Sequence, residues 1–318
     1  MNFEFTSDQT ALLDAVAKVV AHHGSAPATV HRYQYAPALA HDLAQSGFFE
    51  CIRIEELGPL TAAAMVMAIA GSPLCVELMA AALIVPSLET DVEGPCALVW
   101  EGSETSPTRF LPMASTLIRF VSGGVEVARL DPAEYHVVAV ESIFAYPMGV
   151  LRNAGALRWK RVETTESIAL QTLWRVGIAA EIVGSLDAGL QSVLAHVRDR
   201  RQFGRPLGSF QAIQHRLAEC ATSIEGARWM VLKAADSGST LDALLASGQA
   251  QRIATRVCYD LHQFMGAMGL TLEHPLHRWT YRAKLLRSEF GGPERQFIAA
   301  ADAAWGHVVP VAELETAA

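Results

Sequence analysis

The sequence predicts a mainly α-helical protein in three parts: an N-terminal helical domain (residues 1–90), a small, reduced antiparallel β middle domain (91–165) and a C-terminal four-helix bundle (166–318). Three observations predict this order. Apolar residues recur at helical spacing in both flanking parts. Runs rich in β-branched and aromatic residues are confined to the middle. Proline and acidic residues across 86–95 punctuate the first junction.

Thr6-Ser7-Asp8-Gln9, followed by Leu12, Leu13, Val16, Val19 and Val20, reads as a capped amphipathic helix. Helical patterns continue over 39–48, 61–69 and 76–84. Nothing between Glu56 and Glu77 is charged, but Pro59, Gly71, Ser72 and Pro73 interrupt the segment. A spanning helix needs about 20 apolar residues, so a buried helix is expected here and no membrane association. In the middle, 97–100, 116–121, 125–130 and 135–140 read as strands, with Ser122-Gly123-Gly124 as a hairpin turn. Beyond Ser167, one long apolar-periodic helix covers 168–198. Ser209 is placed as the N-cap of the next, with Phe210, Ile213, Leu217, Ala221, Ile224, Val231 and Ala235 facing inward and Gly238 ending it. A third helix runs over 241–268, and two shorter ones flank Gly291-Gly292-Pro293.

Composition narrows the function classes. With 51% hydrophobic and 18% charged residues, the 318-residue chain carries enough apolar surface for a sizeable core, which argues against disorder. A net charge of −8 excludes a general affinity for nucleic acid or anionic membrane. The five cysteines (Cys51, Cys75, Cys96, Cys220, Cys258) are scattered and odd in number, which reads as reduced thiols in a cytoplasmic protein. The opening Met1-Asn2-Phe3-Glu4-Phe5 lacks the basic region of a signal peptide. His22-His23 and His274/His277 have no acidic or cysteine partners at ligand spacing, so no metal site is expected. No G-x-S-x-G elbow supports a hydrolase.

Arg198, Arg200, Arg201 and Arg205 gather positive charge at a helix end and the loop after it. One reading is a solvated C-terminus, where the macrodipole favours cations. The other is a phosphate clamp, since the guanidinium fork donates two parallel hydrogen bonds to phosphate oxygens.

The neighbourhood of these arginines is specific. Arg200-Arg201-Gln202-Phe203-Gly204-Arg205-Pro206-Leu207, then Phe210-Gln211 and Leu217-Ala218, resembles the acyl-CoA dehydrogenase signature R-x-Q-F-G-x-P-(I/L)-x-x-F-Q-x-x-x-x-x-L-A. Gln263-Phe264-Met265-Gly266-Ala267-Met268-Gly269-Leu270 is similar to the family's Q-x-x-G-G-x-G-(F/Y), with Ala267 at its second glycine. The resemblance covers 167–304 well and 2–20 moderately. It implies that Arg200 and Phe203 reach across a dimer interface to the pyrophosphate half of an FAD bound mainly by the neighbouring subunit. It implies that Gln211 lies on the same surface, and that Gln263 and Gly266 approach the adenine–ribose end.

Two departures from the family pattern shape the expected function. Nothing between 97 and 162 matches the flavin-facing T-E-P-x-x-G-S-D loop or the later W-I-(T/S) segment. Counting on from Glu273-His274-Pro275, the family's catalytic glutamate falls on Phe290, with Glu289 one residue early. An offset of one on a helix turns a side chain by about 100°, so Glu289 is expected to face elsewhere. The position used by other branches of the family falls on Trp174. Neither residue can remove a proton. Glu181, within the apolar first bundle helix, is the one carboxylate whose surroundings would raise its pKa, and a polar seam is expected around it.

The chain therefore resembles the short, non-catalytic-looking subunits of heteromeric α2β2 acyl-CoA dehydrogenases from actinobacteria that degrade steroid-derived CoA thioesters. That resemblance implies FAD shared across the interface and a full-length partner subunit supplying the glutamate. It implies α,β-dehydrogenation of a bulky acyl-CoA in lipid or cholesterol catabolism, with an electron-transfer flavoprotein as acceptor. Two alternatives stay open: a self-sufficient enzyme using Glu289 or Glu181 as base, and a flavin-free scaffold or regulatory protein.

Overall fold

The computed structural model describes residues 4–24, 33, 35–88, 90–131, 137–162 and 167–306; Met1, Asn2, Phe3 and Tyr135, invoked above, lie outside them. Helix α1 (Ser7–His22) begins with a full capping box. Thr6 Oγ1 accepts the Gln9 N–H at 3.3 Å, and Gln9 Oε1 accepts the Thr6 N–H at 2.9 Å. Helices α2 (Pro37–Gln45) and α3 (Gly58–Ala70) follow. From Thr61 onward every α3 residue but Ala68 is buried, which accounts for its uncharged, alanine-rich sequence.

The helix expected over 76–84 forms only from Met79 onward, as a short π turn at Ala80–Ile84. Glu77 is the reason. Its carboxylate accepts the N–H groups of Ala80 at 2.7 Å and Ala81 at 3.0 Å, capping the turn. The residues before it form turns and bends, with Cys75 in a single β-bridge to Tyr35. Helix α7 (Leu276–Leu286) grips this segment: Trp279 Nε1 donates to the Gly71 carbonyl, and Arg282 donates to those of Ser72 and Pro73.

The β region holds two sheets. Strands β1 (Cys96–Trp100), β3 (Thr116–Val121), β4 (Gly124–Arg129) and β7 (Lys160–Val162) form one, in that spatial order. Strands β2 (Thr108–Arg109), β6 (Met148–Leu151) and β5 (Val137–Val140) form the other. The Ser122-Gly123 turn joins β3 to β4 as expected, with Gly123 at φ +72°. One pairing corrects the antiparallel expectation: β1 and β3 run parallel. Residues 101–115 carry β2 and return the chain to the starting edge, which is the length of crossover that parallel neighbours require.

The C-terminal helices are α4 (Ser167–Asp199), α5 (Gln211–Ser237), α6 (Thr240–Met265), α7 and α8 (Gly292–Trp305), with a two-stranded hairpin, β8 (Arg201–Gln202) and β9 (Arg205–Pro206), between α4 and α5. Among the described residues α4 is the one helix long and apolar enough to cross a bilayer, and 67% of its most apolar window is buried inside the protein. Two expectations for α5 need correction. Phe210, not Ser209, is its N-cap, because the Ser209 hydroxyl donates back to the Pro206 carbonyl at 2.7 Å. Ala221 is exposed, and Cys220 takes the inward position. Gly238 ends α5 in the left-handed region as expected, at φ +61°.

Helix α4 is central and crosses α3 at very short range. A methyl group at Gly184 would overlap the Met67 carbonyl of α3. Gly184→Ala is therefore expected to cost about 3 kcal/mol, the upper end for overpacking. Gly155, with open space around it, is the control: Gly155→Ala should leave the thermal midpoint unchanged.

Candidate functional site

The connection from α7 to α8 is backbone under constraint. Phe290 (φ 53°, ψ 25°) lies in the left-handed region, followed by Gly291 (φ +81°) and Gly292 (φ +82°). For a bulky residue this conformation costs roughly 1–2 kcal/mol. Two buried glutamines hold it. Gln251 Nε2 donates to the carbonyls of Leu286 (3.0 Å) and Glu289 (2.9 Å), and Gln296 Nε2 donates to that of Phe290 (3.0 Å).

The turn presents Phe290 to an aromatic cluster in the crevice between sheet and bundle. Trp174 of α4 and Phe290 meet at 5.0 Å between ring centroids, and Trp100 of β1 stacks on Trp174 at 5.0 Å with planes 14° apart. Phe120, beside Trp100 in register, lies 4.7 Å from Trp174. Arg175 covers the Phe290 ring at 4.3 Å. Each such aromatic pair contributes about 0.5–1.5 kcal/mol beyond its area. The positions named by two separate counts along the sequence, 174 and 290, are thus in contact.

Next to the rings sits a buried charge cluster centred on Arg109 of β2. Its Nη1 lies 3.8 Å from Glu181 Oε2 and its Nε lies 3.4 Å from Glu289 Oε1. The Tyr146 hydroxyl donates to Glu181 Oε2 at 2.6 Å, and the Arg109 guanidinium lies 5.0 Å from the Tyr146 ring. Burial alone would lower the Arg109 pKa, but Glu289 and Glu181 outweigh it and hold the group above its ordinary value. Burial raises the Glu181 pKa, opposed by Arg109 and by the Tyr146 hydroxyl. Burial likewise pushes Glu77 up to about 8, against the backbone N–H of Ala80. The raised pKa expected for Glu181 is present, with Arg109 and Tyr146 beside it, but Glu181 is not the one carboxylate so affected, because the likewise buried Glu77 is raised as well.

Glu289 overturns an expectation. It lines the same cavity of about 140 Å³ as Trp174 and Arg109, instead of facing away. The helical rotation argument fails because 289–291 is a 3-10 turn with left-handed Phe290, not α-helix. Arg109, Tyr146, Glu77 and Trp100 escaped sequence reasoning. They lie in or beside the β region, where no motif singles them out, and the one available signal was an arginine followed by Phe110 in an apolar stretch.

The five residues assigned to cofactor contact lie elsewhere, on the surface of the bundle. Arg200, Phe203, Gln211, Gln263 and Gly266 are all exposed. Phe203 is 88% exposed with φ +53° at the tip of the β8–β9 hairpin, edge-on to Phe210 at 6.1 Å. Gly266 has φ +64° and open space where a side chain would be. The histidines have local partners: His23 pairs with Asp42 at 2.8 Å, Ser192 bonds His274 at 3.1 Å, and His277 Nδ1 bonds the His274 carbonyl oxygen.

The chain is similar to known proteins in sequence and in fold. Residues 169–304 match the family model for the acyl-CoA dehydrogenase C-terminal domain. The probable acyl-CoA dehydrogenase YngJ of Bacillus subtilis is 41% identical over 127 residues, 38% of this chain and 33% of that protein. The match thus spans about a third of the curated relative's length. Among solved structures, the ChsE4–ChsE5 complex from Mycobacterium tuberculosis superposes with a TM-score of 0.75 at 21% identity, covering 96% of this chain and 99% of that one. A Tcur3481–Tcur3483 steroid ACAD variant gives 0.74 at 19% identity, covering 98% and 100%. The fold is that of the acyl-CoA dehydrogenases, mainly helical with a small β region and a C-terminal helical domain.

Two predictions follow from the charge cluster. Arg109→Met should destabilise the protein by about 3–5 kcal/mol, because it strands Glu181 and Glu289 without their partner; chemical denaturation measures this. Glu77 binds its proton more tightly folded than unfolded, so its contribution to stability falls as pH rises from about 4.5 through about 8. Thermal midpoints across that range should therefore fall less steeply in Glu77→Gln than in the parent. Part of the slope should remain, since Glu181 is shifted in the same direction.

Proposed function

We propose that this chain is one subunit of a heteromeric FAD-dependent acyl-CoA dehydrogenase, holding part of the flavin while a full-length partner supplies the catalytic base. The contact between Trp174 and Phe290 carries this reading. These are the two positions at which the resemblance places a catalytic glutamate, and here they pack together under Trp100 with their rings 5.0 Å apart. The packing of these side chains supports a crevice that does not receive the flavin ring itself. The exposure of Arg200 and the open space at Gly266, which permits close approach, support the bundle surface as the place for the pyrophosphate and adenine half.

In the proposed division of labour, Arg200 donates to the pyrophosphate, Phe203 and Gln211 shape the approach, and Gln263 and Gly266 border the adenine–ribose end. When bound in the partner's site, FAD supplies a hydride acceptor for the acyl β-carbon. The partner's glutamate removes the α-proton. An electron-transfer flavoprotein serves as acceptor, and a bulky, steroid-derived acyl-CoA is the proposed substrate. The likeness in fold to a steroid ACAD and to a two-protein complex supports the substrate class and the pairing. Cytoplasmic location belongs to the same proposal.

A second reading draws on Glu289, which lines the crevice cavity and would serve as base in a self-sufficient enzyme. The Arg109 guanidinium 3.4 Å away counts against it, because the carboxylate is already engaged in an ion pair. Glu181, the other candidate, is buried and faces the same cation.

Flavin content tests the proposal. The chain expressed alone should be colourless, and the complex with its full-length partner yellow; stoichiometric FAD and dehydrogenase activity in the isolated chain would overturn the reading. Arg200→Ala should weaken FAD retention by the complex roughly ten- to a hundred-fold, the worth of a hydrogen bond to a charged group. Arg200→Lys should restore part of it, and size-exclusion elution should be unchanged in both. Glu289→Gln should keep turnover within a few-fold; a loss in the roughly 10²–10⁴-fold range of general-base catalysis, at constant FAD content, would make Glu289 the base.

A further inference from the structure

Helix α6 ends in a surface turn, Gly266–Leu270, whose first residue is one of those assigned to the cofactor. Gly266 leaves the helix at φ 64° and ψ −144°, a conformation that glycine adopts and residues with a side chain rarely do. Ala267, Met268 and Leu270 are exposed, so burial does little to fix the shape of this turn. Hydrogen bonds from His262 supply what burial does not.

His262 brackets the turn from both ends. Its backbone carbonyl accepts the Gly266 N–H, and its ring Nδ1 lies 2.9 Å from the Gly269 carbonyl oxygen. A carbonyl oxygen can only accept, so Nδ1 carries a proton and donates. Burial lowers the His262 pKa, opposed by the bond to Gly269, so the ring is neutral near neutral pH and Nε2 is an acceptor. The Thr280 hydroxyl, 2.8 Å from Nε2 and 3.1 Å from the Leu276 carbonyl oxygen, donates to the nearer. Tyr281 stacks on the ring, with 6.3 Å between centroids and 25° between planes. Both edges and one face of the imidazole are thus engaged.

Thr280 gives this contact a firm base. It is fully buried on α7, beside Trp279 and two residues from Arg282, the side chains that grip residues 71–73. Gly269 in turn lies hard against α6: a Cβ there would come within 2.9 Å of Met265 Cβ and 3.4 Å of His262 Nδ1. The sequence of contacts from Thr280 through His262 to Gly269 ties an exposed turn to the packed core of the bundle.

We infer that His262 is a positioning residue for the adenine–ribose end of the shared FAD, holding the Gly266–Leu270 turn in the shape that lets a nucleotide approach its backbone. The inference rests on the flavin-sharing role proposed above, in which Gly266 borders that end. His262 acts through the turn and is assigned no contact of its own with the cofactor.

The two ring nitrogens supply the test. An asparagine side chain places its amide nitrogen close to the position of Nδ1, whereas glutamine places its own near Nε2. His262→Asn therefore keeps a donor for Gly269, His262→Gln keeps only a group facing Thr280, and His262→Ala keeps neither. FAD retention by the complex with its full-length partner, measured after dilution, should fall roughly three- to tenfold in the Gln and Ala variants, the worth of one neutral hydrogen bond. The Asn variant should stay within about twofold of the parent. Retention should follow the donor and not the thermal midpoint, which a merely structural role would have it track. Amide hydrogen exchange over residues 266–271 should quicken in the Gln and Ala variants and not in Asn. Equal FAD retention in Asn and Gln, or exchange in Gln as slow as in the parent, would overturn the inference. FAD lost by Arg200→Ala but kept by His262→Gln would remove the role of the histidine alone. FAD kept by Arg200→Ala would remove the flavin-sharing role and this assignment with it. Should His262→Ala not fold, the comparison of Asn with Gln decides.

Discussion

The Arg109 guanidinium is the point on which the relation between the β region and the helices depends. It stands on β2, reaches Glu181 in the middle of α4 and Glu289 in the turn before α8, and touches Met79 from the segment after α3. Three stretches remote in sequence converge on one buried cation. Removing a charge from water costs several kcal/mol unless partners compensate, so each of the three must be in place for the others to be tolerable. The arrangement holds the crevice in register more than it adds net stability.

The aromatic rings close what the charges align. Trp100 and Phe120 descend from the sheet onto Trp174 and Phe290 of the helical side. This packing fills the crevice at positions 174 and 290. The bundle surface bearing Arg200 and Gly266 is untouched by it and retains its open, left-handed turns.

Legibility in the sequence follows the range of the forces involved. The α1 capping box, the Ser122-Gly123 turn and the left-handed exit at Gly238 are set by residues within a few positions of one another, and each was readable. Helices were placed to within a few residues where the apolar stripe was long. The helix expected over 76–84 failed because Glu77 uses its side chain to cap a turn three residues on, a choice no periodicity records. The parallel β1–β3 pairing failed because neighbouring strands need not be consecutive. Glu289 failed because the rotation argument assumed an α-helix where Phe290 adopts a left-handed turn, held by glutamines from α6 and α8.

The sequence by itself determined the mainly helical architecture, the Arg200–Phe203 motif and the absence of a carboxylate at positions 174 and 290. These depend on residue identity and local spacing, which the chain carries without folding. Only the tertiary structure decided that Trp174 and Phe290 touch, that Arg109 stands between Glu181 and Glu289, and that Glu289 lines the crevice beside them. Each of these depends on side chains from separate elements competing for one desolvated volume. That competition is settled by packing and burial after the helices and sheets have docked, and it leaves no trace in local pattern.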